Sequence, residues 1–301
     1  MTKIRPTCAY RFQFTPEDNF ARAASLVPYL GSLGVSHLYM SPISEAVAGS
    51  QHGYDVVDPS RIRDELGGED EFAKLVRTLD HHGIGWLVDI VPNHLSSADP
   101  EANPWFWHVL RFGVQSPCAD TFDIDWDAAD GRMILPVVDQ SPEELVDAGR
   151  LEIVDRRGER QLQIDGGFHL PLDPDTVLDP LRPLLDVVAD QHYVLAPWRS
   201  TNRNVRRFFE IDSLVAVSIE KPDVRDARHE LLRRILHDYP SLSGVRVDHI
   251  DGLADPDGYL HWLRDLIGPD RILLVEKILL GDEQLPERWR SEEHTSELQS
   301  H

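Results

Sequence analysis

The stretch Gly85-Trp86-Leu87-Val88-Asp89-Ile90-Val91-Pro92-Asn93-His94 decides how the chain is read. Its apolar run is interrupted only by Asp89 and stopped by Pro92, the pattern of a strand buried on both faces. Such a strand needs helices to cover it, and the flanking sequence supplies them. Upstream, Glu69 to His82 reads as a helix closed by Gly83. Before that helix, Val35 to Met40 reads as a second strand ended by Ser41-Pro42. Earlier still, Phe20, Ala23, Ala24, Val27, Leu30 and Leu33 recur at helical spacing, with Gly34 in the position of a C-terminal cap. A first strand alternates bulky apolar and polar residues from Ala9 to Phe14. Strands and helices alternating through short links predict parallel βα units.

Downstream the rhythm breaks. From Asn93 to about Pro222 the sequence is rich in Asp, Pro and Gly, with short strands only. A separate lobe inserted after the third strand is expected there. The rhythm resumes with a helix from Val224 to Asp238 and a strand from Gly244 to Asp248. A helix from Asp257 to Ile267 and a strand from Arg271 to Glu276 follow. The expected fold class is therefore α/β, an incomplete (β/α)8 TIM barrel with about five strands, three short of closure. The expected divisions are 1–94 and 223–289 for the barrel, 95–222 for the lobe and its return, and 290–301 for a tail. That tail, Arg290 to His301, is polar and aperiodic, and it resembles the translation of a sequencing-adapter oligonucleotide. It is expected to be non-structural, and the chain to stop before its fold does.

Composition narrows the function classes. With 52 acidic against 30 basic residues the formal charge is −22. Binding through phosphate neutralisation needs the opposite sign, so no nucleic-acid partner is expected. An anionic membrane surface would repel the chain, and no apolar run reaches the roughly 18 residues of a membrane span. The first residues lack the apolar stretch of a secretory signal, which leaves a cytoplasmic location as the expectation. A neutral, hydroxyl-rich substrate stays compatible with an acidic surface. Cys8 and Cys118 have neither metal-ligand spacing nor the density of a disulfide scaffold, and both are expected to be partly buried thiols.

In parallel α/β folds chemistry gathers at the carboxyl ends of the strands. The third strand ends with Asp89 and runs into Asn93-His94. The next carries Arg246, Asp248 and His249, and the last ends at Glu276. Singly, an acidic residue at a strand end is more often a cap or a surface charge. Arg246 and Asp248 share one strand face, so a structural ion pair would account for those two alone. It does not account for Glu276 on the neighbouring strand end. Adjacent strands lie about 4.8 Å apart, so the two carboxylates can face each other at the roughly 5–5.5 Å of a retaining glycosidase. Asp248 would attack the anomeric carbon, its pKa lowered by Arg246, while Glu276, with a raised pKa, protonates the leaving oxygen.

Together these blocks resemble the first three sequence blocks of the α-amylase superfamily: Asp89-xxx-Asn93-His94, Gly244-x-Arg246-x-Asp248-His249, and Glu276. Within it the chain is most similar to the maltooligosyl trehalose synthase family. The pointers include Tyr10-Arg11-Phe12-Gln13, Gly49-Ser50-Gln51-His52-Gly53-Tyr54-Asp55-Val56, Arg206-Arg207-Phe208-Phe209 and Val275-Glu276-Lys277-Ile278-Leu279. The match spans roughly residues 8 to 289.

The resemblance implies Asp248 as nucleophile, Glu276 as general acid/base and Arg246 as its electrostatic partner. It further implies His94 as a contact to a sugar hydroxyl and Tyr54 as a ring for the sugar to stack on. Asp89 becomes the residue that organises the site, and His249 a contact on the leaving-group side. The implied substrate is a maltooligosaccharide, whose reducing-end α-1,4 linkage becomes an α,α-1,1 linkage. Alternatives are an α-amylase-type hydrolase or an inactive glucan-binding fragment. Trp105, Trp107 and Trp126 could wall the pocket, although lobe tryptophans more often form core. No cofactor is expected, and Asn93, where many amylases recruit calcium, is assigned to a cap or sugar contact. Ile250 stands where Pro is usual, a tolerable local change. A fourth block, with the third catalytic carboxylate, and the last barrel strands are not found between residues 1 and 301, and on those grounds this chain is expected to be inactive by itself.

Overall fold

The computed structural model describes residues 4 and 6–279 apart from 178 and 180, together with 284, 286, 289 and 292–294. Six strands lie side by side in chain order: Ala9–Phe12, His37–Met40, Gly85–Ile90, Leu242–Val247, Ile272–Glu276 and Glu292–His294. Every neighbouring pair is parallel. Helices Phe20–Ser32, Gly68–His81 and Pro256–Ile267 lie between successive strands in the chain. This is an α/β fold with a parallel sheet in sequential order, the arrangement of part of a (β/α)8 barrel.

The local causes are visible. Asn19 caps the first helix by accepting from the Arg22 backbone N–H at 3.1 Å. Gly34 and Gly83 follow their helices with φ of +80° and +65°, the left-handed turn that glycine adopts without strain. Helices and sheet are joined by a run of edge-to-face rings, Phe14 on Phe20 (4.8 Å), Phe20 on Phe72 (5.4 Å) and Phe72 on Trp86 (5.6 Å). All four rings are fully buried. Burying such side chains contributes about 1.5–3 kcal/mol each.

Three expectations change. The helix expected from Val224 to Asp238 is two, Pro222–Arg228 and Glu230–Asp238, broken at His229. The buried His229 ring explains the break. Its Nδ1 donates to the Arg225 carbonyl at 2.8 Å, and its Nε2 accepts from the Tyr259 hydroxyl at 2.8 Å. Burial holds its pKa down to about 3, so the ring is neutral and this one tautomer satisfies both bonds. The second change concerns the tail. Glu292–His294 pairs with Ile272–Glu276, so the sheet has a sixth strand where five were expected. An edge strand presents unpaired N–H and C=O groups, which bond to backbone whatever the side chains are. The rest of that tail lies outside the described residues. Third, Cys8 is exposed, and only Cys118 is half-buried.

The chain divides into two compact units, Met1–Asn93 with Ile219–His301, and His94–Ser218. The second unit has its own sheets. One is an antiparallel trio of Leu151–Arg156, Glu159–Ile164 and Phe168–Pro171. The others are a parallel pair, Met133–Val138 with Tyr193–Pro197, and a trio in which Ile211–Ala216 lies between Arg207–Phe208 and His94–Ser96. Phe106 and Phe122 meet edge to face at 5.5 Å in its core, while Trp105, Trp107 and Trp126 are half-buried. Among the described residues no helix is long and apolar enough to cross a membrane.

Close strand approach makes one glycine testable. A Cβ on Gly244 would sit 2.3 Å from the Ile272 carbonyl oxygen on the adjoining strand. Backbone cannot yield there, so Gly244→Ala is expected to destabilise the chain by about 1–3 kcal/mol. Urea unfolding of the two proteins measures it, and an unchanged midpoint would refute it.

Candidate active site

The sheet delivers the candidate residues to one end by register alone. Arg246 stands opposite Asp89 on one side and Leu274 on the other. Asp248, two residues on, has its N–H bonded to the Ile90 carbonyl at 2.9 Å, and Glu276 ends the next strand. Arg246 is the hub. Its Nη1 donates to Asp89 Oδ1 and Oδ2 at 2.9 and 2.8 Å and to Asp248 Oδ1 at 2.9 Å. Its Nη2 lies 3.0 Å from Glu276 Oε2. Only arginine has a fork wide enough to hold separate carboxylates with separate nitrogens. The side chains of Asp89, Arg246, Asp248 and Glu276 are 0, 7, 10 and 20% exposed, so these charges interact with little screening.

Asp89 is also the best-anchored carboxylate. Its Oδ2 accepts from the Tyr39 hydroxyl at 2.8 Å and the Tyr54 hydroxyl at 2.7 Å. Burial and the neighbouring Asp89 charge push both phenols well above their ordinary pKa, so they remain donors. Arg11 Nη2 donates in turn to the Tyr54 oxygen at 3.1 Å. Tyr39 and Arg11 were missed as site residues. The available signal was position: Tyr39 is the penultimate residue of its strand, next to the strand bearing Asp89.

The residue after Asp248 turns the chain. His249 adopts φ +47°, a left-handed conformation uncommon outside glycine, and its N–H donates to Glu276 Oε2 at 3.2 Å. Its half-buried imidazole has a pKa lowered by burial, against the pull of Glu276 and Asp251, so it is neutral at pH 7. Thus Asp89, Tyr54, Arg246, Asp248, His249 and Glu276 converge. His94 begins the other compact unit, where it pairs with Ala216 and packs on Phe208 with ring centroids 4.4 Å apart. Asn93 is buried below Gly252, at which a Cβ would come within 2.7 Å of Asn93 Oδ1. Among the described residues no group of three or more His, Cys, Asp or Glu side chains is arranged to hold a metal ion.

The electrostatics correct one expectation. Asp248 is not held below its ordinary pKa. Burial, Asp89 and Glu276 together raise it, outweighing Arg246. Three carboxylates around one guanidinium would leave two net negative charges in a buried site, so a proton is retained. Asp248 and Glu276 share the Arg246 guanidinium, Asp248 on Nη1 and Glu276 on Nη2, and Glu276 is the more exposed of the two.

A pH-dependent prediction follows. The folded state binds Asp248's proton more tightly than the unfolded chain, so its contribution is present at low pH. It is lost as pH rises from the ordinary carboxylate range through the raised value. Asp248→Asn is therefore expected to stabilise the chain at pH 7.5 by about 1–2 kcal/mol, with the gain vanishing near pH 4. Thermal unfolding at both pH values measures this, and a destabilised variant at pH 7.5 would overturn it.

Comparison with known proteins places this geometry. Residues 23–122 match the model of the α-amylase catalytic domain. A Mycobacterium tuberculosis protein carrying the maltooligosyl trehalose synthase name is 44% identical over 281 residues, covering 92% of this chain and 35% of that one. The solved maltooligosyltrehalose synthase of Arthrobacter ramosus superposes with a TM-score of 0.88 at 40% identity, over 96% of this chain and 37% of the other. Another solved maltooligosyl trehalose synthase gives 0.84 at 36% identity, over 93% and 37%. The chain thus spans about a third of the length of the relatives it matches. With the sheet order, the strand-end carboxylates and these identities in agreement, the chain belongs to the maltooligosyl trehalose synthase family of the α-amylase superfamily.

Proposed function

We propose that this chain carries the first part of the catalytic machinery for forming maltooligosyl trehalose from maltooligosaccharides, by glycosyl transfer within one bound molecule. The observation that supports it most strongly is Arg246 joining Asp89, Asp248 and Glu276 at the ends of three adjacent parallel strands. Asp248, as carboxylate, attacks the anomeric carbon of the sugar next to the reducing-end glucose. The bond to the leaving oxygen breaks as Glu276 gives it a proton, leaving a glycosyl ester on Asp248. The freed glucose then turns, and its own anomeric hydroxyl attacks the esterified anomeric carbon, breaking that carbon's bond to Asp248 and releasing the carboxylate, while Glu276 takes back the proton. Atoms balance without water, and the product is an isomer of the substrate.

The proton retained by the cluster suits this division between the two carboxylates. Substrate entering between them would leave the charge on Asp248, next to Arg246, and the proton on Glu276, towards solvent. In this reading Asp89 orients Arg246, the neutral His249 meets a leaving-side hydroxyl, Tyr54 faces the sugar ring and His94 bonds a hydroxyl. Residues 94–218 are read as a lobe inserted in the chain between the third and fourth barrel strands. By itself the 301-residue chain is proposed to be inactive, because no third carboxylate block is found within it.

The test is a chimera in which residues 8–289 replace the aligned segment of the Mycobacterium tuberculosis relative, assayed on maltohexaose. Loss of reducing ends without loss of total sugar is the expected result. A rise in reducing ends would instead identify a hydrolase. A folded chimera that changes neither would overturn both readings.

A further inference from the structure

The second compact unit contains a cavity of about 260 Å³ that the glycosyl-transfer chemistry does not use. Its walls are apolar, with Phe106, Met133, Leu135, Phe168, Leu170 and Val215 among them. Among the described residues its charged lining side chains are Arg203, Arg207 and Asp212, clustered by their own hydrogen bonds. Asp212 accepts from Arg203 Nε at 2.7 Å and Nη2 at 2.9 Å, and also from Arg207 Nη1. The hydrogen bonds from Arg203 hold its pKa below the ordinary carboxylate value, so it stays ionised. Two cations around one anion leave a net positive charge in this cluster, on a chain whose overall formal charge is −22. Arg203 also donates to the Ser200 and Trp198 carbonyls, and its side chain is 17% exposed against 26% for Arg207. Arg207 is therefore the more accessible of the two cations.

A pyranose, with hydroxyls around its whole rim, suits this lining less well, because apolar side chains outnumber the two serines and the three charged groups. An apolar body with a single charged head does fit. A cavity of about 150 Å³ accepts a benzene ring, so this one accommodates a chain of about eight carbons. We propose that the cavity between Phe106, Leu135 and Phe168 binds a monoanionic amphiphile, its apolar body among these side chains and its head at Arg207. Nothing in this depends on the glycosyl-transfer reading.

The test uses the full 301-residue chain with octanoate and octanol as probes, followed by calorimetry and by chemical-shift changes of isotope-labelled octanoate. One octanoate per chain is expected, with octanol bound about tenfold more weakly because it lacks the charge. Arg207→Gln should weaken octanoate about tenfold and leave octanol unchanged. Val137→Phe, at the cavity mouth where Val137 is 37% exposed, should block both probes in a protein that still unfolds cooperatively. Absence of saturable octanoate binding up to its solubility limit would overturn the proposal. So would wild-type octanoate affinity in either folded variant.

Discussion

Turnover of maltohexaose by the folded chimera is expected to fall about 10⁴-fold or more in Asp248→Asn, with substrate binding retained. The amide has the shape of the carboxylate but cannot form the glycosyl ester, so the first covalent step is lost. Glu276→Gln removes a proton donor instead, an effect of about 10²–10⁴ on natural substrates. The two roles separate on a substrate whose leaving group needs no proton. With maltosyl fluoride, Glu276→Gln should recover most of the rate at which the ester forms, whereas Asp248→Asn should stay dead. Equal losses for both variants on the fluoride would sink this assignment. Activity in Asp248→Asn within about tenfold of the parent would remove Asp248 as nucleophile altogether.

The second large effect is on stability and can be read on the chain itself. Arg246→Leu leaves Asp89, Asp248 and Glu276 facing one another without a cation, with Asp89 fully buried. Deleting one partner from a buried charge cluster destabilises by about 3–5 kcal/mol, because the remaining charges stay uncompensated. The carboxylates can escape by binding protons, so the deficit should be greatest at pH 7.5 and shrink towards pH 5. The sign follows from linkage: the variant's folded state binds more protons than its unfolded state across that window, so stability falls as pH rises. Arg246→Lys keeps a charge but not the fork that reaches Asp89 and Glu276 with different nitrogens, and should fall between. Urea unfolding at the two pH values decides the matter. An Arg246→Leu chain as stable as the parent at pH 7.5 would show that the cluster contributes nothing net.

The same cluster explains why the expected Asp248 titration was reversed. Sequence placed Arg246 two residues from Asp248, and a single opposite charge lowers a carboxylate's pKa. What it did not show was that Arg246 is divided among Asp89, Asp248 and Glu276, or that Asp248 is buried with Glu276 on the same guanidinium. Burial and repulsion depend on everything that packs around a group, and the linear chain names only its neighbours.

Much of this protein was nevertheless legible in its residues. Period and punctuation set the order of the parallel strands, because a buried strand must read as an apolar run and a helix must close at a residue such as Gly34 or Gly83. They also placed Asp89, Arg246, Asp248 and Glu276 at strand ends, since parallel strands in sequential order bring their carboxyl ends to one side. The tertiary structure alone decided what distance in the chain conceals. Tyr39 and Tyr54 bond Asp89 from 50 and 35 residues away. Tyr259 takes up His229 from 30 residues away, at the point where the helix breaks. Glu292–His294 joins the sheet through backbone groups that every sequence possesses. Local pattern reports how a segment can bury its apolar face; which polar groups then meet, and which of them keeps a proton, is set by packing between segments.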